Sequence, residues 1–195
     1  MKLYITPNSP YARIARVALI DAGLADKAQV ITVQTRLPNS DFFKVTPLAR
    51  VPALTHGDML IADTADICAY FDEITGRAQF LPPRSPSCRS LHNIAAGFLD
   101  GVAVSLRENA CPPNESSPCV KSYEASRALN ALAWLETRFA PATWDFIAIT
   151  LAVTIDIANR RGINKNWSTT APRLTNWAKS AQLFPSMFQT APGPA

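Results

Sequence analysis

The sequence predicts two domains of different class, an α/β domain first and an all-α helical bundle after it. Three observations carry this. Residues 1–78 alternate short apolar runs with helical spacing and include a hairpin, begun at Val51-Pro52, that runs into a capped helix. The window Phe80-Leu81-Pro82-Pro83-Arg84-Ser85-Pro86-Ser87 holds three prolines, which no helix tolerates in its interior. Beyond it the pattern turns helical. The domains are therefore expected at 1–78 and 88–195, with a linker at 79–87.

Met1-Lys2-Leu3-Tyr4-Ile5-Thr6 reads as a strand. A turn follows, and Pro10 then takes the first helical position, where its missing N–H costs nothing. Ile14, Val17, Ala18 and Leu19 continue that helix to a C-terminal cap at Gly23. Residues 29–35 alternate as a second strand, and a second helix is expected before the hairpin. Val51-Pro52 enters the third strand, where proline is tolerated at the first residue, and an X-Pro bond is the common home of a cis peptide. Gly57-Asp58 turns the chain into the fourth strand, and Asp63-Thr64 opens a helix.

In the second half, residues 88–107 form one long helix with Leu91, Ile94, Ala95, Phe98, Leu99, Val102 and Leu106 at mixed three- and four-residue spacing. Cys111-Pro112-Pro113-Asn114 and the serines after it make a loop. Residues 120–139 give a second helix. Residues 145–161 are apolar almost throughout, which marks the central buried helix, ended by Gly162. Residues 172–183 form a last amphipathic helix, followed by a tail.

Composition narrows the function classes. At 48% hydrophobic, the 195-residue chain can build its core without staples. The four cysteines lack metal-type close pairing and are expected as reduced thiols. No run approaches the roughly 20 apolar residues of a membrane span, and no export signal is read at the start. A soluble, cytoplasmic protein is expected, with no membrane partner. The net charge of +4 is mild, and the arginine groups at 77–89 and 160–165 lack interleaved aromatics, so no nucleic-acid partner is expected. A basic surface does help gather small anions.

The hairpin and the helix after it define a candidate site. A cis Val51-Pro52 bond would turn the N–H and C=O of Val51 outward toward an extended peptide. Asp63 and Thr64 stand where free N–H groups and the helix dipole favour a carboxylate. Such a pair suits a small acidic thiol peptide. These residues, with Ser9-Pro10-Tyr11 at the start, resemble the glutathione transferases. Phe98-Leu99-Asp100-Gly101-Val102, Ala131-Leu132-Ala133-Trp134-Leu135-Glu136 and the closing Phe184-Pro185-Ser186-Met187-Phe188 look like bacterial members of that family.

The resemblance implies a thioredoxin-like N-terminal domain that binds glutathione, with no metal, and a homodimer pairing the first domain of one subunit with the second of the other. It implies that Ser9 stabilises the glutathione thiolate, its Oγ and its own N–H both facing the sulfur; read from the residues alone, Ser9 is equally an N-cap. Thr6 and Asn8 are rival donors, Tyr4 and Tyr11 weaker ones. By the same resemblance Val51 binds the cysteinyl backbone beside Pro52, and Asp63 and Thr64 receive the γ-glutamyl end, though both also suit a plain cap. The glycyl carboxylate would meet Arg36, Asn39 or Lys44, and Pro38 stands where some relatives carry lysine. An apolar electrophile would lie between Ser9 and the first helix of the second domain, against Tyr11, Leu37, Phe98, Val102 and Leu106, positions that equally suit a core. Thr150 and Val153 read as a capping box broken at Val153.

The implied activity is conjugation of glutathione to an apolar electrophile, a transferase reaction serving detoxification. The rival readings are a catalytically silent ligand-binding or interaction protein, and a glutathione-dependent lyase or peroxidase on the same site.

Overall fold

A computed structural model describes residues 1–80, 85–140 and 142–193. The chain divides into two compact units, one of Met1–Pro82 with Ser186–Pro194 and one of Pro83–Pro185. Of the linker expected at 79–87, residues 81–84 lie outside the described residues, while Ser85 caps and Pro86 opens a helix.

The first unit is thioredoxin-like. Strands β1 (Lys2–Ile5), β2 (Gln29–Thr32), β3 (Ala53–His56) and β4 (Met59–Ala62) form a mixed sheet in the order β2-β1-β3-β4. β2 runs parallel to β1, which a crossover helix requires, and the hairpin strands are antiparallel. Helix α1 (Pro10–Asp21) is that crossover, and it packs on α2 (Thr64–Thr75). Leu3, Tyr4 and Ile5 are all buried, so the central strand β1 is covered on both faces, while the edge strands β2 and β4 are largely exposed. Because strand side chains alternate, Tyr4 points away from the face of Leu3 and Ile5. It joins Phe42, Ala49 and Ala53, its ring 5.5 Å from that of Phe42.

The helix expected before the hairpin is only a single 3₁₀ turn, Asp41–Lys44. Pro38 and Pro47 bracket too short a stretch for a helix, and Arg36 just before it lies at φ +65. Ser40 caps the turn through Phe42 N–H at 3.2 Å.

The second unit is helical: α3 (Pro86–Ala110), α4 (Pro118–Arg138), α5 (Phe146–Arg160), α6 (Trp167–Thr170) and α7 (Pro172–Ala181). Thirteen consecutive residues of α5, Phe146 to Ala158, are buried, confirming it as the central helix. Its cap corrects the capping-box reading. Asp145 is the N-cap, accepting from Ala148 N–H at 2.9 Å, while Thr150 lies inside the helix and donates to the carbonyl of Phe146. The helix begins where the apolar run does, at Phe146, within the range the sequence predicts. Helix α7 has no side-chain cap of its own, and Glu136 of α4 supplies one, accepting from the N–H groups of Arg173 and Leu174 at 2.8 Å each.

The tail is not loose. Helix α8 (Pro185–Gln189) carries Met187 and Thr190 into the first unit, where the buried Arg13 of α1 donates to the carbonyl of Met187 at 3.1 Å and to Thr190 Oγ1 at 3.4 Å.

Asp145→Ala removes the side-chain N-cap of a helix whose first thirteen residues are buried. Urea unfolding followed by circular dichroism is expected to show a loss of about 1 kcal/mol, within a range of about 0.5–2.

Candidate functional site

Strand register gathers the candidate residues. Tyr4 pairs with Ile31 of β2 and Ala53 of β3, and Ala53 pairs with Ala62 of β4. The C-terminal ends of β1, β2 and β4 and the N-terminal end of β3 therefore share one end of the sheet. From that end depart the turn to Ser9, the loop carrying Arg36, the Val51-Pro52 entry and the Asp63-Thr64 exit. Parallel pairing of β1 with β2 and antiparallel pairing of β3 with both neighbours leave no other arrangement.

Ser9 is the N-cap of α1, partly exposed, its Oγ accepting from Ala12 N–H at 3.2 Å. With Oγ engaged as acceptor, the hydroxyl proton remains for donation to a ligand. One detail differs from expectation: Ser9 N–H donates to the Thr6 carbonyl at 3.2 Å, so it closes the turn and only the hydroxyl is left to serve a sulfur. The helix dipole adds positive potential here. Further along α1 lie buried Arg13 and half-buried Arg16, whose pKa is lowered first by burial and then by Arg13 alongside.

Val51-Pro52 is a cis peptide bond, as the sequence suggested. Val51 packs against the Tyr4, Phe42 and Ala53 cluster. Among the described residues its backbone N–H and C=O make no backbone hydrogen bond.

Asp63 caps α2 through Ala65 N–H at 2.9 Å, yet its backbone lies at φ +93, ψ 142. That region belongs essentially to glycine and costs about 1–3 kcal/mol. Thr64 is 7% exposed, and its hydroxyl makes no hydrogen bond among the described residues. Strain and an unused hydroxyl thus sit together at one helix N-terminus.

Of the residues proposed for the glycyl end, Lys44 is held by Asp41 at 2.6 Å, which raises the lysine pKa and lowers that of the carboxylate. Arg36 is exposed on its bend. Asn39 lines a cleft of about 420 Å³ with Val33, Gln34, Leu37, Phe42 and Val45, beside the end of β2. Asn39, rather than Lys44, is therefore the unencumbered polar group.

The apolar candidates divide. Tyr11 is partly exposed on the first turn of α1. Phe98 and Val102 are buried in the core of the helical unit, the Phe98 ring 5.2 Å from that of Trp167, and Leu106 packs on the same core. Tyr4, a rival to Ser9, has its ring committed to Phe42. His92 is partly buried and stacks on Phe146 with ring centroids 5.1 Å apart. His56 hydrogen-bonds the Tyr70 hydroxyl at 2.6 Å. Among the described residues no three His, Cys, Asp or Glu side chains are placed to hold a metal.

The sequence reading missed Arg13. Its signal was faint: a charged residue one turn from Ser9 on a helix whose neighbours at Ala12 and Ile14 are both buried. The tail residues that receive it carried no signal.

The fold and the gathering of these residues define a class. Residues 8–74 match the family model described as glutathione S-transferase, N-terminal domain. A crystal structure of a glutathione transferase family member from Pseudomonas fluorescens Pf-5, with bound S-(propanoic acid)-glutathione, superposes with a TM-score of 0.83 at 25% identity, over 99% of this chain and 100% of that one. Glutathione S-transferase Z1 of Arabidopsis thaliana is 30% identical over 64% of this chain but only 52% of its own length. The uncharacterized GST-like protein YibF of Escherichia coli K12 is 23% identical over 98% of both chains. Residues 8–74 thus form a glutathione S-transferase N-terminal domain, and the chain as a whole shares the fold of a glutathione transferase family member. Among the described residues no helix is long and apolar enough to cross a membrane.

Two predictions follow from local chemistry here. Asp63→Gly relieves the positive φ and is expected to leave stability within about 0.5 kcal/mol of the parent, while Asp63→Ala loses the cap and keeps the strain, costing about 1 kcal/mol or more; chemical denaturation separates the two. Cys68 is fully buried on α2, and burial, then Asp72 and Asp63, push its thiol pKa well up. The folded state thus keeps a proton that the unfolded chain releases near pH 8.5. Stability is full below that pH and falls above it by about 1.4 kcal/mol per unit. Unfolding measured at about pH 8 and 10 is expected to show that slope reduced in Cys68→Ala.

Proposed function

We propose that the protein binds glutathione at the open end of the sheet, holds its sulfur as a thiolate with Ser9, and conjugates it to an apolar electrophile, as a cytoplasmic homodimer. The observation that carries this reading is the Ser9 hydroxyl. It sits at the positive end of α1 with its acceptor role filled and its proton free. A thiol with pKa near 8.5 needs about 2.7 kcal/mol to be lowered by two units. A hydroxyl hydrogen bond to an anion contributes about 1.5–3 kcal/mol, and a helix N-terminus about 0.3–1. The two together reach the requirement.

In this reading Val51 pairs its free backbone groups with the cysteinyl residue, Thr64 Oγ meets the γ-glutamyl carboxylate, and Asp63 faces the ammonium group through the oxygen not used in its cap. Arg36 or Asn39 meets the glycyl carboxylate. The thiol releases its proton to solvent, the thiolate sulfur forms the new C–S bond, and the electrophile takes up the displaced electron pair as a leaving group or an enolate. The relative from Pseudomonas fluorescens, with its glutathione adduct, supports the ligand class.

One observation favours a second reading, a binding protein without turnover. Lys44 is tied to Asp41, which removes one basic partner for the glycyl end.

Ultraviolet titration of the thiolate with glutathione bound separates the two. A thiolate well below the free thiol's pKa is expected, and its absence at saturating glutathione would move the weight to the silent reading. Ser9→Ala is expected to lower kcat/KM by about 100-fold with glutathione affinity little changed; undiminished turnover would remove Ser9 from its role.

A further inference from the structure

An extended peptide laid across the open end of the sheet meets its strands in order. In the arrangement β2-β1-β3-β4, Asp63 and Thr64 leave from the β4 side, Val51 enters β3, and the loop after β2 closes the far side. Beside that loop lies a cleft of about 420 Å³, within the range of small-molecule sites. Val33, Phe42 and Val45 wall it and belong to the same apolar cluster as Val51, and Leu37 adds a fourth apolar side chain. The cleft and Val51 therefore share one apolar wall.

Among the described residues Asp41 is the one charged side chain on the lining, and Lys44 answers it at 2.6 Å. The lining thus offers no spare cation to an acidic side chain and no spare anion to a basic one. Its other polar groups are neutral: the amides of Gln34 and Asn39, and Ser40, whose hydroxyl donates to the Gln34 carbonyl at 2.9 Å. Glutathione brings to this space only the hydrogens of its glycine. The glycine Cα stands about 3.8 Å beyond the cysteinyl one, so its backbone reaches the neutral rim and leaves the space between the valines unfilled.

We infer that the thiol peptide best suited to this site carries an apolar side chain at its third position, lodged against Val33, Leu37 and Val45. Its terminal carboxylate stays at the rim, on Asn39. The substrate class is a γ-glutamyl-cysteinyl peptide that ends in a residue such as leucine, with glutathione as its smaller analogue. This inference rests on the glutathione reading for the first two residues of the peptide and adds the third.

Glutathione, γ-glutamyl-cysteinyl-leucine and γ-glutamyl-cysteinyl-asparagine are the probes, titrated calorimetrically into the full chain under reducing conditions. Half-burial of a leucine side chain gives an expected affinity about fivefold above that of glutathione. Asparagine, close to leucine in shape but polar, should bind within about twofold of glutathione. Leu37 is 48% exposed on its loop, so Leu37→Ser should spare the fold and cut the leucine advantage to about twofold. Val45→Thr, which keeps the shape of the wall and makes it polar, should lower that advantage as well. Equal affinity for the leucine peptide and glutathione overturns the inference. So does an equal gain from asparagine, or a leucine advantage undiminished in both variants. Those outcomes leave glutathione binding standing, whereas failure of all three peptides to bind sinks the glutathione reading and this inference together.

Discussion

The pairing of β1 with β2 on one side and β3 on the other organises the rest of the first unit. Both bonds are made at the same three residues, Leu3, Tyr4 and their neighbour Lys2. A slip of one position would turn Tyr4 to the face of α1 and α2 and expel Leu3 and Ile5 from it. Because β1 is buried on both sides, neither face can absorb that exchange. The register is therefore fixed by burial, and with it the positions from which four separate connections leave. Ser9, Val51, Asp63 and the loop after β2 come together because the strands behind them have no freedom to do otherwise.

The site tolerates features that the scaffold avoids. Asp63 adopts a backbone region suited to glycine, Val51 keeps backbone groups unpaired, and Arg13 places a guanidinium in the interior beside a second one on Arg16. Elsewhere most helix ends obey local rules, although Asn166 of the helical unit also lies at positive φ, +65. Ser85, Ser117 and Asp145 cap three helices, prolines open α1, α3, α4 and α7, and Glu136 serves α7 where no local cap exists. These three departures gather at one end of one sheet, where the candidate site lies.

Much of this was legible from residue order. Strand, helix and hairpin followed from period and turn chemistry, the cis bond from the place of Pro52, and the central helix α5 from its unbroken apolar run. The failures have identifiable causes. The range of α5 was read correctly, but a cap was sought at Thr150, which lies inside the helix and bonds its own backbone. Two prolines shortened the second helix to one 3₁₀ turn, an outcome decided by chain length between them. Phe98 and Val102 read equally as pocket or core from spacing, and only packing against Trp167 distinguishes the two. The paired lysine at residue 44 looked available because an i, i+3 partner on a 3₁₀ turn is invisible until the turn is known.

The attachment of residues 187–190 to Arg13 has a consequence for how the chain comes into being. A domain made first during synthesis ordinarily completes itself before the next one emerges. Here the first unit receives its last partners only after the whole helical unit has been translated. Until then the Arg13 side chain lacks the Met187 carbonyl and the Thr190 hydroxyl that satisfy it in the finished molecule. The helix bearing Ser9 is thus among the earliest segments formed, yet its buried guanidinium gains these partners only once residues 187–190 are made.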